Sequence, residues 1–239
     1  MFLLAVAVAV AAGTAAQSVT GFGFALLVVP ILTVVEGPQT AVVVMTSIGV
    51  PMTLANAIRW RADLETRSFL MVTAAALVAM PLGTLLLTRA DDRTLTLVVG
   101  AVVLAFTVAL WRGLHLPPGR RTEIAAGALS GALATSVGTN GPPLVVAFQA
   151  TGMPPEPFRA TLAAAFAVQG SVALATFWAA DLIDADVGRA WLVGIPAALV
   201  GALVGDRVFA RMDRDRFRTG VLVMLAASGT LALVSALRG

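Results

Sequence analysis

The chain has 239 residues, of which 59% are hydrophobic and 12% charged, and its mean hydropathy is +0.93. A soluble domain carries about a quarter charged residues, and a chain this short cannot hide so much apolar surface in one core, so a soluble globular domain is excluded and lipid is the expected solvent. All 16 basic residues are Arg, the net charge is +3, there is no Cys, and His115 is the one His. That inventory excludes a disulfide framework, a thiolate nucleophile and the usual multi-Cys or multi-His metal sites. No metal or cofactor is expected. The Arg residues fall in short connections between apolar runs, as in membrane proteins, and leave no basic face for nucleic acid.

Apolar segments predict the elements in chain order. A short pair at 2–18 and 22–35 comes first, followed by long segments at 38–58, 68–88 and 94–112. A second short pair at 122–137 and 142–153 precedes long segments at 157–179, 188–206 and 217–237. Each long segment has about 20 residues, enough to cross about 30 Å of hydrocarbon. The short ones suit re-entrant pieces, because the links inside each pair, Thr20-Gly21-Phe22-Gly23 and Gly138-Thr139-Asn140-Gly141, carry no charge. Two short spanning helices joined by a tight turn are the alternative for each pair. Met1 to Ala16 has no basic leader before its apolar run, which makes it part of the mature fold.

Either reading of the pairs puts Arg89, Arg93, Arg189 and Arg238 on the side of the N-terminus and the other twelve Arg residues opposite. The positive-inside rule then makes the Arg-rich side cytoplasmic and places both termini outside.

The halves, 1–116 and 117–239, resemble one another. At an offset of 118, Trp60-Arg61-Ala62-Asp63-Leu64 matches Trp178-Ala179-Ala180-Asp181-Leu182, Gly23 falls on Gly141, Leu26 on Leu144 and Val28 on Val146. At 122, Gly83 falls on Gly205 and Asp91-Asp92-Arg93 on Asp213-Arg214-Asp215. Each half holds five segments, an odd number, so the second enters from the opposite side. The expected fold is an all-α polytopic membrane protein of two inverted repeats. Each repeat has one re-entrant helical hairpin, or two short helices, and three transmembrane helices. Inverted repeats with broken helices are a plan of secondary transporters, with the site near the midplane where the repeats meet.

At each Gly-rich tip a second helix begins. Helix N-termini carry free N–H groups and about half a positive charge, and Gly lets a ligand approach the backbone. Two such tips together predict a small-anion site. Its candidate residues are Gln17, Ser18, Thr20, Gly21, Phe22, Gly23 and Phe24 in the first tip. In the second they are Thr135, Ser136, Gly138, Thr139, Asn140, Gly141 and Pro142. Neither tip has Lys, Arg, Asp or Glu, so backbone and side-chain dipoles do the work expected of charge. Taken singly, these residues also fit plain helix packing, since Gly permits close contact and Ser or Thr often bonds its own backbone.

Other residues read more simply. His115 belongs to a cytoplasmic loop. Trp60, Trp111 and Trp178 are interfacial anchors. Asp181, Asp184 and Asp186 form a solvated outside loop. Arg159 opens a span near the second hairpin, as a topology signal or as an attractor of anions.

Gly21-Phe22-Gly23-Phe24-Ala25-Leu26-Leu27-Val28-Val29-Pro30 resembles the first signature of the TauE/SafE sulfite exporter family, and Gly138-Thr139-Asn140-Gly141-Pro142-Pro143-Leu144 resembles the second. Phe158-Arg159-Ala160-Thr161 and the span ends at Trp60 and Trp178 fit as well, so the resemblance covers nearly the whole chain. It implies a bacterial inner-membrane permease that moves sulfite, sulfonates such as sulfoacetate, or related organic anions, usually outward. Many members have three consecutive glycines where this chain has Gly23-Phe24-Ala25, a bulkier first tip that bears on the substrate. The expected partners are a small anion and the lipid bilayer; a homo-oligomer is compatible with the sequence. A secondary carrier, an anion channel, an intramembrane enzyme and a purely structural membrane protein are the functional alternatives. The enzyme lacks a nucleophile with a base, or a metal set.

Overall fold

The computed structural model describes residues 2–20, 23–113, 116–209 and 214–238. His115 lies outside them. The described elements are helices: α1 Phe2–Thr20, α2 Phe24–Glu36, α3 Pro38–Arg59, a 3-10 turn Arg61–Asp63, α4 Thr66–Arg89, α5 Asp92–Trp111, α6 Arg120–Ser136, α7 Gly141–Ala150, α8 Pro155–Ala179, α9 Ala185–Phe209 and α10 Arg214–Arg238. Five of them (α3, α4, α5, α8 and α9) are long and apolar enough to cross a membrane. At 1.5 Å per residue, α7, with 10 residues, reaches only about 15 Å, half the hydrocarbon thickness. The chain is a helical, multi-pass membrane protein.

Two compact units form, and neither follows the sequence halves. The first comprises Met1–Met45, Ala90–Gly113 and Ile183–Gly239; the second comprises Thr46–Arg89 and Leu114–Leu182. In the first unit α1 packs on α2 and α9, while α10 packs on α5 and α2. Ala16, Leu26, Leu27, Val103 and Leu225 meet in its core. Gly201 lets α9 approach the backbone of α1 at Ala11, and Gly13 lets α1 approach Phe24 and Val28 of α2.

In the second unit α6 packs along α4, and α8 packs on α4 and α7. The α4–α6 seam is made of small residues. A Cβ on Gly127 would strike the Val72 backbone, one on Gly131 the Ala76 backbone, and one on Gly83 the Ala132 carbonyl. Lipid gives packed helices no hydrophobic advantage over separated ones, so close backbone approach of this kind supplies the attraction. Thr135 adds a hydrogen bond across the seam, its Oγ1 donating to Met80 O at 2.7 Å.

The outward faces are apolar. Leu70, Val78, Leu82 and Leu85 on α4 are exposed, as are Leu192, Leu199, Val200 and Leu203 on α9. Stripes of Leu and Val beside buried Gly seams are the pattern of helices facing lipid on one side and protein on the other. Asp184 Oδ1 accepts the N–H groups of Asp186 and Val187, capping α9, and Arg189 pairs with Asp186 at 2.8 Å. Asp184 and Asp186 thus have local structural roles.

Candidate functional site

The second hairpin tip shows how sequence shapes the turn. Helix α6 ends where Val137 leaves helical geometry and Gly138 takes φ 68, a left-handed conformation that favours Gly. Thr139 and Asn140 follow, and α7 starts at Gly141 with Pro142 and Pro143 in its first turn. Those prolines remove two N–H groups that the helix start would leave free, so Asn140 and Gly141 carry the remaining backbone donors there.

A buried polar network holds this turn. Asn140 Nδ2 donates to Gln169 Oε1 of α8 at 2.9 Å. Ser130 Oγ, on α6, lies 2.9 Å from both Asn140 O and Gln169 Oε1, and its single proton serves one of them at a time. Ser130, Thr139 and Gln169 are fully buried. Among the described residues, the buried side-chain atoms without a hydrogen-bond partner are Thr33 Oγ1, Thr73 Oγ1, Thr139 Oγ1 and Gln169 Nε2. The last two fall at this one turn. Asn140, for its part, does not cap α7 with its side chain.

The structure brings Gly138, Thr139, Asn140, Gly141 and Pro142 together around this network. Thr135 and Ser136 stand apart from it: Thr135 is bonded to Met80 O, and Ser136 Oγ donates to Ala132 O of its own helix. In the first tip, Gln17 is half-buried in the last turn of α1 and Gly23 precedes α2 with φ 116, again left-handed, its carbonyl accepting from Leu27 N–H. Phe24 is buried. Gly21 and Phe22 lie outside the described residues, as do the side chains of Ser18 and Thr20.

Several buried polar residues escaped the sequence reading, among them Ser130, Gln169 and Glu123. Gln169 is the only amide side chain in α8, and that isolation within an apolar helix was its signal. Glu123, in the first turn of α6, is buried and accepts from Ser68 Oγ of α4 at 2.6 Å. Next to it, the Ser68 N–H bonds Glu65 and holds its carboxyl below the ordinary glutamate range, aided by Arg67. Glu65 N–H in turn donates to Thr161 Oγ1 of α8. Arg159 lies over the Trp60 ring at 4.5 Å, a cation–π contact that ties the start of α8 to the end of α3. Arg159 therefore has a structural partner.

Membrane-crossing helices beside broken, Gly-rich turns with buried polar donors define the class: a multi-pass membrane transporter. The chain belongs to the sulfite exporter TauE/SafE family, whose model matches residues 5–231. A protein of Cupriavidus necator named "Probable sulfite/organosulfonate exporter TauE" is 30% identical over 98% of this chain and 96% of its own length. A protein of Comamonas testosteroni named "Probable inner membrane transporter protein TsaS" is 31% identical over 45% of this chain and 46% of its own. No solved structure matches.

Proposed function

We propose that the protein is an inner-membrane secondary carrier that exports small sulfur-containing anions, such as sulfite or sulfonates, recognised at the Gly-rich hairpin tips. The observation that carries this is the pair of fully buried, unpartnered groups at the start of α7, Thr139 Oγ1 and Gln169 Nε2. Leaving a buried donor unsatisfied costs about 1–3 kcal/mol, and a helix start with free N–H groups is the natural place for an anion to satisfy it. The first tip, from Gln17 to Phe24, serves as the equivalent element of the repeat. The name of the Cupriavidus necator relative supplies the substrate class.

The inverted repeat has its own support. Both halves run as two shorter helices and three longer ones. By that order α1 corresponds to α6 and α9 to α4, and the contacts α1–α9 and α4–α6 are the same contact exchanged between halves. The 10-residue α7 favours a re-entrant arm over a spanning one. What favours a carrier over a channel is closure: donors lining an open pore would face water, whereas Thr139 and Gln169 are fully buried. Both termini lie outside, from the Arg distribution.

Thr139→Val tests the reading, because it keeps the shape and removes the hydroxyl. A purely structural Thr139 leaves transport intact and, having lost an unsatisfied group, unfolds at the same or higher temperature. The carrier reading expects that same retained stability with transport reduced about tenfold, and expects Asn140→Leu to abolish transport in protein that still inserts. Normal transport by both variants would remove the tip from the site.

A further inference from the structure

Gln169 offers more than a place in the network. Its Oε1 receives Asn140 Nδ2, and Ser130 Oγ lies equally close, so the amide is held by its carbonyl end. Nε2 carries two N–H donors, is fully buried, and has no partner. Fixing a donor by bonding its carbonyl end pre-organises it, and that lowers the cost of binding. The donors at this turn are all neutral: Gln169 Nε2, the Thr139 hydroxyl and the N–H groups of Asn140 and Gly141. The segments 68–88, 123–150 and 160–179, which form the surrounding helices of this unit, contain no Arg or Lys.

The cost of burying an ion rises with the square of its charge, and neutral dipoles compensate a single charge far better than two. Resting on the anion reading above, we infer that Gln169 Nε2 is a direct anion ligand and that the site takes monoanions, rejecting dianions of similar size. Hydrogen sulfite and alkyl sulfonates then fit, while sulfate and the sulfite dianion do not.

The test is calorimetric binding to the purified full-length protein, with methanesulfonate as a permanent monoanion and sulfate as a dianion. Wild type is expected to bind methanesulfonate at least about tenfold more tightly than sulfate, with little change between neutral and mildly acid pH. Gln169→Glu keeps the acceptor for Asn140 and replaces the donor with a carboxylate oxygen. It is expected to lose about tenfold or more in methanesulfonate affinity at neutral pH. It should recover on acidification, when the carboxyl gains a proton and becomes a donor. Gln169→Leu should lose affinity at both pH values without recovery. Unchanged affinity in both variants, whatever their stability, would overturn the ligand role, and equal wild-type affinity for sulfate would overturn the charge rule. Wild-type protein that binds neither anion would overturn this inference together with the anion reading, whereas binding that survives in both variants would overturn this inference alone.

Discussion

Single buried polar groups carry both the stability and the proposed chemistry of this protein. Ser68 is the donor that satisfies the buried Glu123 side-chain oxygen. Leaving a buried acceptor without its partner costs about 1–3 kcal/mol. Ser68→Ala should therefore lower the unfolding temperature in detergent, and adding Glu123→Leu, which removes the orphaned acceptor, should recover part of the loss. A full penalty that persists in the double variant would mean that Ser68 acts through packing. At this scale the sequence was legible where Gly and Pro mark the backbone. Gly138, Gly141 and Pro142 stand at the second tip as expected, because positive φ and helix starts restrict which residues fit. Gln169 was not legible, since its role comes from a hydrogen bond to a residue 29 positions away. Thr135 shows the reverse case. It looked like a tip residue, but one turn of helix carries its hydroxyl to the α4 backbone.

Helices are held together by small residues at close range. A methyl group on Gly131 would meet the Ala76 backbone of α4, which cannot rotate away as a side chain would. Gly131→Ala should cost about 1–3 kcal/mol through overpacking. Gly188→Ala, on α9 with nothing within 4 Å of its added carbon, should stay within about 0.5 kcal/mol of wild type. Comparing the two in thermal unfolding separates seam packing from helix propensity; equal effects would refute the seam. The long helices were readable because twenty apolar residues in lipid have few alternatives. The ends were less so: α7 stops at Ala150, short of the expected 153, because Gly152 adopts φ 67 and turns the chain. Which helices pack together was not readable at all. The pairing of α1 with α9 and α4 with α6 joins segments far apart in sequence, and nothing local encodes it.

For the whole molecule, orientation and transport are the properties to test. The absence of Cys makes topology accessible. A single cysteine introduced as Asp186→Cys should react with an impermeant maleimide added outside cells, and one introduced as Arg121→Cys should react only after the membrane is opened. The opposite pattern would invert the assigned orientation. The proposed repeat rests in the sequence on the match of Trp60-to-Leu64 with Trp178-to-Leu182, whereas the compact units were not visible there, because they interleave segments from both halves. The central claim, that this fold carries small sulfur anions on neutral donors, is tested most directly by flux. The purified protein would be reconstituted into liposomes and offered hydrogen sulfite, methanesulfonate and sulfate in parallel. Saturable movement of hydrogen sulfite and methanesulfonate, with sulfate left behind, is the predicted result. No flux of either sulfur monoanion, in protein that is correctly folded, would contradict it.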